Sequence, residues 1–253
     1  MSRVALLLRP LLIAGAFLTR LPLPAARVRV EEFGLAAACF PLIGFGIGGS
    51  SLALYTLALP TLGPSLTASV LVAFSALITG GLHLDGLADW FDALGGGRGD
   101  AKRMLEIMRD PRIGAHGASA LVIVLGAKLM VLSELPPSTA SMALLCAPAC
   151  ARWSVVGLLA AFQSARADGL GQAFAQQVKP AHALIATGFM TAGSVWFGPA
   201  VVWPVLLGAA SAGLIGAWAR LRLGGLTGDV HGAALEICEL VCLVGCARSS
   251  ALG

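Results

Sequence analysis

The stretch PSLTASVLVAFSALITGGLHLDGLADWFDALGGGRGD, residues 64–100, changes character once. Its first twenty residues carry no Asp, Glu, Lys or Arg, and the next nine carry Asp85, Asp89 and Asp92. An uncharged run of that length is what a helix needs to cross about 30 Å of hydrocarbon. The acids then mark a return to a polar surface. The same alternation governs the rest of the chain. Of 253 residues, 57% are apolar and only 12% charged, against about 25% charged in a soluble domain. With a mean hydropathy of +0.86, the chain reads as a membrane protein. Residues 1–253 form one membrane-embedded domain, with no room for a separate soluble one. A net charge of +4 without a basic tail excludes nucleic acid as a partner.

Apolar runs occur at 33–59, 64–83, 115–133, 138–162, 181–198, 200–219 and 232–248, each near spanning length. Pro60, Gly63 and Pro64, then Pro136 and Pro137, then Pro199 and Pro204 break them. The fold expected is all-α: a polytopic integral membrane helix bundle of about seven transmembrane helices. An N-terminal apolar helix, VALLLRPLLIAGAFL, either makes a short span or lies in the interface. Arg9 and Pro10 interrupt it too early for a signal peptide. Gly44, Gly48 and Gly49, and Ala209, Gly213 and Gly216, recur at spacings that let helices approach closely in lipid. Cys146 with Cys150, and Cys238 with Cys242 and Cys246, share helix faces. Such cysteines read as small packing residues, with a soft-metal site as the lesser alternative. Nothing in the sequence bars association with further copies of the chain.

The loops alternate in charge. Arg20, Arg27 and Arg29 lie in one, and Arg98, Lys102, Arg103, Arg109 and Arg112 in the next charged one. Arg166 with Lys179, then Arg220 with Arg222, follow, while the intervening turns near 60–64, 134–138 and 198–204 carry no Lys or Arg. The positive-inside rule puts the charged loops in the cytoplasm of a cytoplasmic (inner) membrane. The acids keep to the same side, Asp168 and Asp229 included, and only Glu134 falls opposite. The active site is therefore expected at the cytoplasmic face. A cation-coupled transporter, the least favoured reading, would place polar groups at mid-depth and on both sides.

On a helix, Asp85, Asp89 and Asp92 fall within an arc of about 60°. Three carboxylates on one otherwise apolar face repel unless a cation sits among them. Carboxylate oxygens suit Mg2+, which also binds substrate phosphates. Gly95-Gly96-Gly97 would end this helix. In DAKRMLEIMRDPRIGAHG, residues 100–117, Asp100 is placed to cap a helix that Pro111 ends. Met104, Leu105, Ile107 and Met108 give it an apolar face. Lys102, Arg103, Arg109 and Arg112 would meet a phosphate or pyrophosphate. In GGLTGDVHGAALEICEL, residues 224–240, Thr227 would cap a helix starting near Asp229. Asp229 and Glu236, seven apart, share a face. Glu236 lies in an apolar run, so it needs a metal, an arginine or a proton. His231 points away from that face, as a base or a plain polar group. Two acidic faces with arginines between suit phosphoryl transfer at the membrane surface, with a carboxylate deprotonating an attacking hydroxyl.

HLDGLADWFDALGGG, RMLEIMRDPRIGAHGA and GGLTGDVHGAALEICEL, with FLTRLPLP near the start, resemble the cobalamin synthase family, the adenosylcobinamide-GDP ribazoletransferases. The resemblance implies a membrane enzyme of the last steps of cobalamin assembly. A ribose hydroxyl of α-ribazole, or of its 5′-phosphate, attacks adenosylcobinamide-GDP and displaces GMP, with Mg2+ as cofactor. Asp85, Asp89 and Asp92 match the family's acidic motif, Arg109, Asp110 and Arg112 its basic turn, and Asp229 and Glu236 its C-terminal motif. The chemistry of these residue types then suggests Asp85 and Asp89 as metal ligands, Asp92 as ligand or base, and the arginines on the pyrophosphate. The CDP-alcohol phosphotransferases, the main alternative, carry D-x-x-D-G-x-x-A-R. Aligned on Asp85-Gly86, Trp90 stands at that arginine and Asp89 at the alanine before it, and the later acidic repeat is missing, so those enzymes match less well.

Overall fold

The computed structural model describes residues 3–24 and 28–249, with residues 3–7 as backbone only; Arg27, one of the loop cations, lies outside them. The helices are α1 (Arg3–Leu18), α2 (Phe33–Ala38), α3 (Phe40–Thr79), α4 (Leu82–Gly96), α5 (Ala101–Ile107), α6 (Ala115–Ser133), α7 (Pro137–Ala161), α8 (Leu170–Gln177), α9 (Pro180–Ser194), α10 (Val202–Leu223) and α11 (Gly228–Arg248), with 3-10 turns at Val30–Glu32 and Val195–Val201. Among the described residues there is no strand, only one parallel bridge between Ser164 and Leu226.

Five helical stretches are long and apolar enough to cross a membrane: Phe40–Thr79, Ala115–Ser133, Pro137–Ala161, Pro180–Leu223 and Gly228–Arg248. The chain is an all-helical multi-pass membrane protein. Two of the stretches have 40 and 44 residues, and straight they would run to about 60 Å, twice the hydrocarbon thickness. Each breaks at a glycine of positive φ, Gly63 at 72° and Gly198 at 60°. Only glycine takes that conformation without strain. The break folds α3 back on itself. Ile47 and Leu71 would lie about 36 Å apart on a straight helix, yet both line one cavity of about 50 Å³. The five stretches therefore hold seven straight segments among the described residues. The first apolar run is further split at Cys39, where α2 gives way to α3.

Lipid offers little hydrophobic drive between helices, so close packing and polar links hold such bundles. α7 and α11 form the centre, and Cys146, Cys150, Cys238, Cys242 and Cys246 are all buried there as free thiols. Cys150 Sγ lies 3.7 Å from Cys238 Sγ. Among the described residues no group of three His, Cys, Asp or Glu side chains is placed to hold a metal, so these thiols pack. The outer faces are apolar, with Leu57, Leu77, Val122, Leu184 and Leu214 all exposed. Trp196 and Trp203, 88% and 71% exposed, flank the Gly198 break, where amphipathic rings suit a membrane–water boundary.

A polar link crosses the centre. Lys128 Nζ on α6 donates to Glu236 Oε2 at 2.7 Å and to Glu239 Oε1 at 2.8 Å on α11. Arg152 on α7, 1% exposed, also donates to Glu239. Two cations and two carboxylates thus balance within three helices. This corrects the expectation for Glu236. Its partner is a lysine, not a metal or an arginine, and it stands about 10 Å along the helix from Asp229.

Candidate active site at one end of the bundle

Asp100 caps α5 as expected, its carboxylate accepting from the backbone of Lys102 and Arg103. Met104 and Met108 turn inward, and Met108 Sδ lies 3.6 Å from Thr227 Oγ1. Thr227 also caps α11 by accepting from Val230 N at 3.3 Å. The loop after α7 is fastened to the start of α11 by Ala165 N donating to Leu226 O and Leu226 N to Gln163 O, each at 2.9 Å. Arg109 reaches Asp168 at 3.3 Å. The loops around residues 81–114, 162–169 and 224–228 therefore gather at one end. Glu134 and Arg248 meet at the opposite ends of α6 and α11.

α4 and α11 cross backbone to backbone. A Cβ on Gly86 would stand 2.9 Å from Asp229 O, and one on Gly232 would stand 3.1 Å from His83 O. Only hydrogen at these two positions lets the helices meet so closely. The crossing brings the first turn of α4, with Asp85, against the first turn of α11, with Asp229. Helix N-termini favour such negative charge. Gly86→Ala is expected to force the helices apart and cost about 1–3 kcal/mol, as overpacking usually does. A lower melting temperature in detergent checks this, and an unchanged one would show that the crossing yields easily.

Beside the crossing lies a cavity of about 260 Å³, lined by Asp85, Asp229, Arg166, Asp168, His83 and His231 among others. Asp229 Oδ2 lies 2.9 Å from Arg166 Nη2 and accepts from Thr227 Oγ1 at 3.3 Å. Arg166 Nε is buried without a hydrogen bond. His231 Nδ1 lies 2.7 Å from Thr227 O. A carbonyl only accepts, so Nδ1–H donates and Nε2 is left as a bare acceptor. That Nε2 is buried and unpartnered. His83 is 6% exposed, and its Nδ1 has no partner. Burial first, then the Arg152 charge, holds its imidazole down to about 3, with Glu239 opposing. Asp89 sits half-buried behind Asp85. Its carboxyl is pushed up to about 7 by burial first, then by the charges of Asp85, Asp229 and Asp92, with Arg166 opposing. The acids thus outnumber the cations near them.

The three aspartates of α4 part company. Asp92 is buried, and both its oxygens are taken: Gly114 N donates to Oδ2 at 2.7 Å and Gly117 N to Oδ1 at 2.8 Å. It pins the start of α6 to α4 instead of facing the cavity with Asp85. The cations expected on phosphate also separate. Lys102 and Arg103 are exposed on α5, and Arg112 is bound to Asp110 at 2.6 Å. Arg109 reaches only the rim, through Asp168. The arginine inside the cavity is Arg166, which the sequence showed only as a loop charge. His231 lines the same cavity as Asp229, although helical spacing sets it on another face. His83, two residues before Asp85, gives no signal in the sequence, since a lone histidine at the end of an apolar run carries no charge pattern.

Comparison with known proteins adds chemistry to this geometry. The family described as cobalamin-5-phosphate synthase matches residues 10–247. An adenosylcobinamide-GDP ribazoletransferase of Desulfitobacterium hafniense (strain Y51) is 37% identical over 248 residues, covering 94% of this chain and 96% of the relative. No solved structure matches.

Proposed function

The chain belongs to the cobalamin-5-phosphate synthase family, and from that premise we propose that it transfers the adenosylcobinamide-phosphate group of adenosylcobinamide-GDP to α-ribazole or its 5′-phosphate. The observation that carries this reading is the meeting of Asp85, Asp229 and Arg166 at one cavity. In the reaction a ribose hydroxyl oxygen bonds to the phosphorus attached to cobinamide. The phosphoanhydride P–O bond breaks, and GMP leaves with that oxygen. The hydroxyl proton passes to Asp229, whose Oδ2 is held by Arg166 and Thr227 while Oδ1 stays free to accept. His231 Nε2, a bare acceptor, orients the hydroxyl. Arg166, with its unused Nε, and Arg109 at the rim meet the phosphate charge as Arg characteristically does.

The acids fit a divalent cation. The crowding that pushes Asp89 up is the environment a cation relieves. Mg2+ is ordinarily held by one or two carboxylates together with water and substrate phosphates, without a closed protein cage. Asp85 and Asp89 would hold it, and it would neutralise the developing charge on the bridging oxygens. Asp92, bound to two backbone amides, is the positioning residue of the set.

The charge alternation supports a cytoplasmic position for this end of the bundle at the inner membrane, with the seven straight segments read as seven spans. The test is GMP release by purified protein in lipid. It should require adenosylcobinamide-GDP, α-ribazole and Mg2+ together. Consumption of a CDP-alcohol lipid in place of the cobinamide would overturn the reading in favour of the CDP-alcohol enzymes. Cation flux into proteoliposomes without GMP would favour a transporter.

A further inference from the structure

The cavity has two unlike walls. One is the ionic group of Asp85, Asp229 and Arg166. The other is aromatic: Phe17 from α1, Phe40 from α3 and Phe174 from α8 converge on it. Phe174 is the hub, with ring centroids 4.7 Å from Phe17 and 5.5 Å from Phe40. Behind it Phe33 stacks at 4.4 Å, so the hub cannot tilt away freely. Phe40 and Phe174, 1% and 2% exposed, back the wall, and half-buried Phe17 is the ring with a face left open. Val155 and Leu159 of α7 extend the apolar wall. Phe174 lies eight residues beyond Arg166 on one loop and helix, so a single segment supplies both the cation and the ring.

Of the groups the proposed reaction brings together, one matches this wall. A guanine carries donors and acceptors around its edge, and phenylalanine, valine and leucine side chains leave them unpaired. A corrinoid with its amide arms is too large for about 260 Å³, already small among ligand sites. The base of α-ribazole is a flat, fused, methylated aromatic ring with one free nitrogen. Rings of this kind stack offset or edge-on against phenylalanine. Its ribose would then reach from the aromatic wall toward Asp229 and His231.

We propose that the wall of Phe17, Phe40 and Phe174 seats the base of the incoming ribazole, and that Val155 sets how large that base can be. This inference rests on the ribazole-transfer reading. The ionic wall is left for the phosphates, and the corrinoid stays outside the cavity at its mouth.

The test uses the full-length protein in lipid. In Val155→Phe, which fills the apolar wall, and Phe17→Ala, which opens its rim, the KM for α-ribazole should rise about tenfold or more, with that for adenosylcobinamide-GDP within about twofold. A riboside of a smaller, unmethylated base should regain ground in Val155→Phe. The wild-type protein supplies a second readout that does not depend on how the variants fold. Without the cobinamide substrate, α-ribazole should raise its melting temperature, while ribose 5-phosphate and guanosine should not. A shifted KM for adenosylcobinamide-GDP, or stabilisation by guanosine, would overturn the seat by assigning the wall to the nucleotide. Wild-type turnover with unshifted ribazole KM in both variants overturns the seat alone. Wild-type protein that releases no GMP overturns the ribazole-transfer reading itself.

Discussion

Asp85→Asn is expected to abolish GMP release, with turnover falling by about a thousandfold or more, while the protein inserts and melts like the wild type. The two halves of this result have separate causes. Asp85 lines the cavity, is exposed, and makes no side-chain hydrogen bond to the described residues, so the isosteric amide removes charge without breaking one of these contacts. In the proposed reaction Asp85 would hold the metal; losing such a ligand would cost several kcal/mol of transition-state stabilisation, and each 1.36 kcal/mol is tenfold in rate. Activity near normal would remove Asp85 from the mechanism. Lost activity accompanied by a collapsed melting curve would make Asp85 a folding residue instead.

Lys128→Met acts through the fold. It strips one cation from a closed set, leaving Glu236 with no partner and Glu239 with Arg152 alone. Breaking a buried pair from one side costs about 3–5 kcal/mol, a large share of the 5–15 kcal/mol that holds a typical domain together. Low yield and a sharply lower melting temperature are expected. Adding Glu236→Gln to the same chain should recover part of the loss, because the orphaned charge is then gone. A single variant that melts like the wild type would show that the link contributes no net stabilisation.

Much of the bundle was legible because lipid imposes length and charge rules that sequence obeys openly. The glycine and proline breaks, the Asp100 and Thr227 caps, and the buried Met104 and Met108 follow from residue type and spacing alone. What spacing does not give is which partner a side chain meets. Asp85 and Asp92 share a helical face, yet the arrival of α6 claims Asp92 for two amides. Arg166 entered the site because a two-bond clamp to Leu226 carries its loop there. Glu236 was partly readable. Lys128 is the only charged residue in the run 115–133, and Arg152 the only one in 138–162. Lone cations in apolar helices demand carboxylates, and Glu236 and Glu239 were the ones at hand.

The central link also fixes an order of events during synthesis. Glu236 lies 108 residues beyond Lys128, and Glu239 lies 87 beyond Arg152. The two cations therefore leave the ribosome and reach the bilayer long before their carboxylates exist. Until α11 arrives, α6 and α7 carry uncompensated charge that lipid penalises. The nascent bundle is therefore provisional for most of its translation, and its last helix acts as the fastening. A chain that stops before Gly228 leaves both cations unmatched.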